Sequence, residues 1–109
     1  MANIRKWLED AEAKSGEKIE AIVVGQHYNR PNKYSGEDEP EANENIVLSR
    51  EVGLEKLDQE YDSGFGGADC YPMYAWSATR VYFINEYDGS TGLNWVPRQP
   101  VACEPDFGG

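Results

Sequence analysis

Residues that could carry enzyme chemistry are sparse in this chain of 109 residues, which contains one histidine and two cysteines. His27 is the one candidate for a histidine general base, and Cys70 is a candidate nucleophile. Such a pair works only when the two side chains lie within hydrogen-bond reach. Their separation along the chain does not predict that contact. The sequence therefore does not predict a catalytic dyad or triad.

Carboxylates near two Tyr-Asp turns give a second chemical possibility, since two carboxylates suffice for glycoside hydrolysis or for binding a divalent cation. The residues concerned are Asp62, Asp69, Glu86 and Asp88. With 20 acidic residues in the chain, some such pair arises by chance. A small hydrolase or metal-dependent enzyme that uses loop carboxylates is therefore an alternative, and the favoured prediction is a protein without enzymatic activity.

Sequence signatures of metal and phosphate sites are absent from the chain. The spacings CxxC and HxxxH do not occur, so no zinc site is predicted. The glycine-rich segment 63–69 lacks the Gly-Lys-Ser/Thr of a phosphate-binding loop and the alternating acidic residues of a calcium loop. We expect neither a cofactor nor a bound metal.

Charge is distributed unevenly. The formal net charge is −10, and residues 37–70 alone carry eleven acidic and two basic residues. Negative charge of this size opposes binding to nucleic acid or to anionic membranes, and it favours a basic protein partner. Solubility alone would also explain an acidic composition, although it would not require the clustering.

Two acidic segments make up most of this cluster, one in the long polar connection 28–45 and the other on and after a predicted helix. The residues that we expect to steer a partner are Glu37, Asp38, Glu39, Glu41, Glu44, Glu51, Glu55, Asp58 and Asp62. Like charges at i,i+4 on a helix are slightly unfavourable, so the helical stripe is either tolerated or used.

Aromatic residues are concentrated in the last half of the chain, with nine of them between Tyr61 and Trp95. Tyr74 and Trp76 alternate with Met73 and Ala75, so they lie on one face of a predicted strand. Two short helices cover one face of a sheet well, so some of these rings should stay partly exposed unless the connection 28–45 covers the second face. Exposed Tyr and Trp are typical anchors of protein interfaces. Stacking on a sugar or a peptide is an alternative use.

The elements that must position these residues form an α+β pattern. Apolar residues at helical spacing predict a helix over 3–15, with Asn3 as N-cap and Gly16 at its end, and a second helix that Ser49 caps and that runs to about Tyr61. Alternating and apolar runs predict strands over 18–26, 45–48, 73–77, 80–87 and 93–96. The predicted fold is a small antiparallel or mixed sheet of four or five strands with two helices packed on it.

Residues 1–100 are predicted to form a single domain, with an acidic flexible loop at about 29–45 and a loosely ordered tail at 101–109. The chain has no apolar stretch long enough to span a membrane and no signal-peptide pattern, which favours the cytoplasm. In that compartment Cys70 and Cys103 are expected to be free thiols.

These observations favour a non-enzymatic, acidic protein-interaction module that docks on a basic partner, with Tyr74 and Trp76 as anchors. One specific form is a DNA mimic, in which carboxylates occupy the places of phosphates on a nucleic-acid-binding protein. In size and charge the chain is similar to the small acidic inhibitors that phages carry against defence enzymes of that kind. No motif identifies a family, and the sequence does not predict an oligomeric state.

Overall fold

A computed structural model describes residues 1–27, 42–64 and 68–106 as two helices and a five-stranded sheet. In chain order the elements are α1 (Ile4–Ser15), β1 (Ala21–Val24), β2 (Val47–Ser49), α2 (Arg50–Leu57), β3 (Met73–Trp76), β4 (Arg80–Tyr87) and β5 (Ser90–Pro97). The strand order is β2-β1-β3-β4-β5, and all neighbours are antiparallel. The predicted α+β fold class is confirmed.

Helix α1 has the ends that its sequence predicts. The Asn3 side chain accepts a hydrogen bond from the backbone N–H of Lys6 at 3.1 Å, which satisfies one of the free donors of the first turn. Gly16 ends the helix with φ of 76°, a conformation that glycine adopts without strain. Ile4 and Leu8 are buried on its inner side.

Helix α2 begins as predicted, where the Ser49 hydroxyl accepts a hydrogen bond from the backbone N–H of Val52 at 3.3 Å. It ends at Leu57, earlier than the predicted end at Tyr61. Tyr61 instead exchanges two backbone hydrogen bonds with Ala2, of 2.8 and 3.0 Å, in an isolated bridge. Pairing with the N-terminal segment therefore replaces the last helical turn.

Gly53 lies in the middle of α2, where a glycine lowers intrinsic helix stability. A Cβ atom at this position would lie 2.6 Å from the Cβ of Ile22 on β1. The glycine therefore lets the helix backbone approach the sheet more closely than any other residue would allow.

Strands β3, β4 and β5, which correspond to the predicted strands 73–77, 80–87 and 93–96, form an antiparallel meander. Asp88 and Gly89 occupy the β4–β5 turn with φ of 51° and 83°, the positive values of a two-residue type I′ hairpin. The predicted strands 80–87 and 93–96 leave residues 88–92 between them. Because the observed turn is tighter, β5 begins at Ser90 instead of Leu93.

Both helices pack on the same face of the sheet. Ile22, Ala75, Tyr82 and Trp95 are aligned across four strands, so they share a face. Helix α2 contacts this face at Ile22. Helix α1 lies beside Tyr82 and Trp95 on the same face. We call this face the covered face and the opposite one the open face.

Two predicted segments lie partly outside the described residues. Residues 29–41 of the expected flexible loop lie outside the described residues, and so do the candidate residues Glu37, Asp38, Glu39 and Glu41. Residues 42–45 form turns, and residues 101–106 of the tail are exposed without helix or strand. Across the described ranges, neither helix has the length and apolar character needed to cross a membrane.

Candidate functional site

The open face carries the predicted anchors Tyr74 and Trp76. Their rings meet edge to face with centroids 6.2 Å apart and an interplanar angle of 71°. Tyr74 is 58% exposed, while Trp76 is half-buried. Val23 on β1 and Phe83 on β4 are aligned with Tyr74 and extend the apolar surface to both sides. Exposure of Tyr74 agrees with the expectation that some aromatic residues of the sheet stay exposed; residues 28–41, the alternative cover for this face, lie outside the described residues.

The open face contains no charged residue at any of its strand positions. By strand these positions are Val47 and Ser49 on β2, Ala21 and Val23 on β1, Tyr74 and Trp76 on β3, Val81, Phe83, Asn85 and Tyr87 on β4, and Ser90, Gly92, Asn94 and Val96 on β5. Charged residues make up 28% of the whole chain. Depletion of charge together with enrichment of aromatic residues is the composition of an interface core.

A shallow depression of about 290 Å³ lies at one end of this face. Val23, Tyr74 and Phe83 line it on the strands, and Asn45 and Pro72 line it beyond the strand ends. Its volume is at the lower end of the range for small-ligand pockets. It is large enough to receive one protruding side chain of a partner.

The acidic residues of α2 lie on the other side of the sheet. Glu51 and Glu55 are exposed on this helix, which packs on the covered face. Glu51 lies 3.8 Å from the guanidinium of Arg50. The structure therefore does not bring the acidic stripe of α2 and the Tyr74–Trp76 pair onto one surface.

Basic residues at the start of α1 offset part of the predicted acidic cluster. The carboxylate of Asp58 accepts a hydrogen bond from the side-chain amide of Asn3 at 3.0 Å and lies 3.5 Å from Arg5. Glu60 lies 3.3 Å from the Lys6 ammonium. Asp58 is thus less available to a partner than the sequence suggested.

The other two described candidates lie outside α2. Asp62 is exposed directly after the bridge between Ala2 and Tyr61, and Glu44 is half-buried in the turn that precedes β2.

One carboxylate that the sequence analysis missed links the two helices. Glu12 on α1 accepts hydrogen bonds from Nε and Nη2 of Arg50 on α2, at 2.8 and 2.7 Å, and a third from the backbone N–H of Ile19 at 2.7 Å. The bond to Arg50 lowers the pKa of Glu12 from its ordinary value, against the opposing effect of burial. Charge-assisted bonds of this kind hold α1 and α2 together.

The structure does place His27, Asp69 and Cys70 around one small cavity of about 110 Å³, which the sequence did not predict. The His27 ring packs edge to face on Tyr71, with centroids 4.8 Å apart. Burial raises the pKa of the Cys70 thiol, and the charges of Asp69 and Glu86 raise it further, against a hydrogen bond with Tyr61. A raised pKa keeps the thiol protonated, whereas a nucleophilic cysteine needs a lowered one.

Two further candidate carboxylates of the enzyme alternative belong to the β4–β5 hairpin turn. Glu86 accepts a hydrogen bond from the backbone N–H of Gly89 at 2.7 Å, and Asp88 is part of the same hairpin turn. Within the described ranges, no three side chains of the His, Cys, Asp or Glu types are grouped so as to hold a metal ion. Cys70 is buried and Cys103 exposed, and both are free thiols.

The fold and the surface together define a small α+β protein whose antiparallel sheet has two helices on one face and an uncharged aromatic surface on the other. No protein-family model matches the chain, and no curated protein or solved structure matches it either. The description of the fold therefore rests on its own strand order and helix placement.

Proposed function

We propose that this chain is a non-enzymatic protein-interaction module that docks on a basic protein partner through the open face. The observation that carries the proposal is the surface around Tyr74 and Trp76, which is aromatic, partly exposed and free of charged residues at its strand positions. Burial of such a surface against a partner supplies the desolvated centre of an interface.

The net negative charge of the chain favours a basic protein as its partner. With a net charge of −10, the chain repels acidic surfaces and attracts basic ones over a distance of about a Debye length, roughly 8 Å at physiological salt. The acidic residues of α2 do not need to touch the partner for this effect, because steering acts through the summed field and raises the association rate. The open face and the acidic residues therefore have separate roles, docking and steering.

The direct test captures partners from the native host on immobilised chain and elutes them with a salt gradient. Three baits are compared: the wild type, the double variant Tyr74→Ala/Trp76→Ala, and the control Val101→Ala, which truncates an exposed apolar residue of the tail. We expect a basic protein that wild type and control retain and that the double variant loses. Circular dichroism and urea unfolding establish that all three baits are folded.

Two outcomes contradict the proposal in different ways. If the double variant retains the same protein with unchanged affinity, the open face is not the docking surface. If the captured protein is acidic, or if its association rate does not fall with ionic strength, charge does not select the partner. The double variant Glu51→Gln/Glu55→Gln separates the roles, since we expect it to slow association about two- to fivefold with little change in dissociation.

A finer form of the proposal makes the partner a nucleic-acid-binding protein and the chain a DNA mimic. Glu51 and Glu55 are one helical turn apart, a spacing of about 5–6 Å that is of the same order as the spacing of backbone phosphates. In this form, duplex DNA competes with the chain for the captured protein. A partner that binds DNA and the chain simultaneously would exclude mimicry and leave the docking proposal intact.

A cysteine enzyme is the second candidate, because His27, Asp69 and Cys70 line one cavity. It requires Cys70 to be the more reactive thiol. We expect the reverse, with iodoacetamide modifying the exposed Cys103 well before the buried Cys70, since burial raises the pKa of Cys70. Preferential alkylation of Cys70 at neutral pH would favour the enzyme.

A further inference from the structure

A second surface feature lies on the covered face, where α1 leaves a groove of about 330 Å³ against β4 and β5. Trp7 and Lys14 border it on the helix, and Arg80, Leu93 and Trp95 border it on the strands. The groove is on the opposite side of the sheet from Tyr74 and Trp76, so it is independent of the docking surface proposed above.

Two basic residues line the groove, in a chain with twice as many acidic as basic residues. In the described part of the chain, Arg5, Lys6, Arg50 and Arg98 each form an ion pair with a carboxylate. Lys14 and Arg80 form none there.

The Arg80 guanidinium forms no ion pair within the described residues, although the Glu17 carboxylate is near enough to interact with it electrostatically and, like Asp10, opposes a bound anion. It lies over the Trp95 ring at 4.0 Å from the centroid, and one of its nitrogens donates to the Tyr82 hydroxyl at 3.4 Å. A guanidinium presents five N–H donors, so most of them are left for an anion. Stacking on the ring also restricts the side chain, which reduces the entropy lost on binding.

Contacts at the two ends of α1 show which residues lie at each end of the groove. Just after the helix, the carboxylate of Glu17 accepts hydrogen bonds from the Ser77 hydroxyl at 2.7 Å and from the backbone N–H of Thr79 at 3.0 Å. These bonds fix the end of α1 that carries Lys14 beside the start of β4, where Arg80 lies.

The opposite end of the groove is apolar. Trp7 packs edge to face on Tyr61 at 6.2 Å, and the Tyr61 hydroxyl is hydrogen-bonded to Thr91 at 2.8 Å. Trp7 therefore lies toward the start of β5, close to Leu93. Trp7 and Lys14 are seven positions apart on the helix, which corresponds to a rise of about 10 Å.

We propose that this groove binds a small amphipathic anion, with its carboxylate or phosphate group between Lys14 and Arg80 and a flat apolar ring toward Trp7 and Leu93. The volume fits a small ligand, and two tryptophans supply surfaces on which a ring packs. Asp10 also lines the groove one turn before Lys14, and its negative charge limits the affinity.

The test titrates the full chain with 3-phenylpropionate and with phenyl phosphate, which share the ring and differ in the oxyanion. Nitrogen-15 correlation spectra follow the indole N–H signals of the three tryptophans, assigned with single Trp→Phe variants. We expect saturable shifts of Trp7 and Trp95 with a Kd of about 1 mM, the range for ligands of this size. Trp76, on the open face, is the internal control and should not move.

Two further probes separate the ring from the charge. The alcohol 3-phenylpropanol keeps the ring without the anion, and inorganic phosphate is an anion without the ring. Both should bind at least tenfold more weakly than the compounds that combine the two. If one oxyanion binds and the other does not, that result identifies the headgroup.

Variants test the two cations. Lys14→Gln and Arg80→Gln should each weaken binding about tenfold, the effect expected for losing a charge-assisted hydrogen bond. Lys18→Gln removes an exposed cation outside the groove and should change affinity less than twofold. Asp10→Asn should tighten binding about twofold to threefold. Because Lys14 is exposed, its variant gives a result even if Arg80→Gln unfolds.

The proposal is overturned if Trp7 and Trp95 show no saturable shift below about 10 mM, a concentration well above the expected Kd. It is also overturned if Lys14→Gln binds as the wild type does, or if 3-phenylpropanol binds as tightly as 3-phenylpropionate.

Discussion

The two faces of the sheet differ in how far their side chains are buried, although the same strands form both. On the covered face, Ile22, Ala75 and Tyr82 are almost completely buried beneath the helices. On the open face, the neighbouring residues Val23, Tyr74 and Phe83 stay partly exposed. An alternating strand supplies apolar residues to both faces, but here two helices cover one of them. The difference indicates that the covered face contributes more to the stability of the fold than the open face does.

The sharpest test of this comparison truncates adjacent residues of β1. Ile22→Ala should lower the free energy of unfolding by about 2–5 kcal/mol, because it leaves a cavity beneath α2. Val23→Ala should cost about 1 kcal/mol or less, since water already reaches its side chain. Urea unfolding of both variants measures the difference. Equal losses would mean that the open face is also part of the folding core.

A substitution in α2 tests how tightly the covered face is packed. Gly53→Ala should destabilise the chain by about 1–3 kcal/mol, because its Cβ would overlap the Cβ of Ile22 and push the helix away from the sheet. Gly64→Ala is the matched control, since no atom lies within 4 Å of the added methyl group there. Thermal unfolding compares the two. A stabilising effect of Gly53→Ala, as helix propensity alone predicts, would contradict the close approach.

The hydrogen bonds between Glu12 and Arg50, which link the two helices, should stabilise the chain by an amount that depends on pH. Glu12→Gln should cost about 1–2 kcal/mol at neutral pH, because it weakens the bonds from Arg50 and Ile19. The pKa of Glu12 is lowered in the folded chain from 4.5, so its stabilising effect is complete above that pH and is lost as the pH falls through the lower folded value.

The difference in stability between wild type and Glu12→Gln should therefore narrow as the pH falls below 4.5. Urea unfolding over a pH series measures it. Glu9→Gln, which removes the exposed pair with Arg5, is the control and should cost less than about 0.5 kcal/mol. A difference that stays constant with pH would show that the charge of Glu12 does not contribute.

The smallest expected effect is on the open face itself. Tyr74→Ala should change the free energy of unfolding by less than about 1 kcal/mol, because more than half of the side chain is exposed. The same variant should weaken capture of the basic partner. A loss of several kcal/mol would mean that Tyr74 stabilises the fold and is not kept for binding.

Local sequence signals predicted much of this structure. Asn3 and Gly16 marked the ends of α1, and the alternation in β3 correctly separated Tyr74 from Ala75. These signals are local, since caps and strand alternation depend on neighbouring residues along the chain. The end of α2 was wrong, because the bridge between Ala2 and Tyr61 joins residues that are far apart in sequence.

The candidate sites show the same difference between local features, which the sequence predicts, and contacts between distant segments, which it does not. Tyr74 and Trp76 could be placed on one face from the sequence, but their position opposite the acidic helix could not, because it depends on which face α2 covers. Neither the cavity around His27 and Cys70 nor the groove between Lys14 and Arg80 had a sequence signal. Both bring together segments from different parts of the chain.

Net charge, aromatic content, fold class and strand faces could be read from the amino-acid sequence, since composition and alternation are properties of the chain alone. Packing of the elements was needed to know which face of the sheet the helices cover, which acidic residues meet Arg5, Lys6 and Arg50, and which cations form no ion pair with a carboxylate. Burial and ion pairing depend on distances between elements, and these distances follow from packing, such as the contact of Gly53 with Ile22.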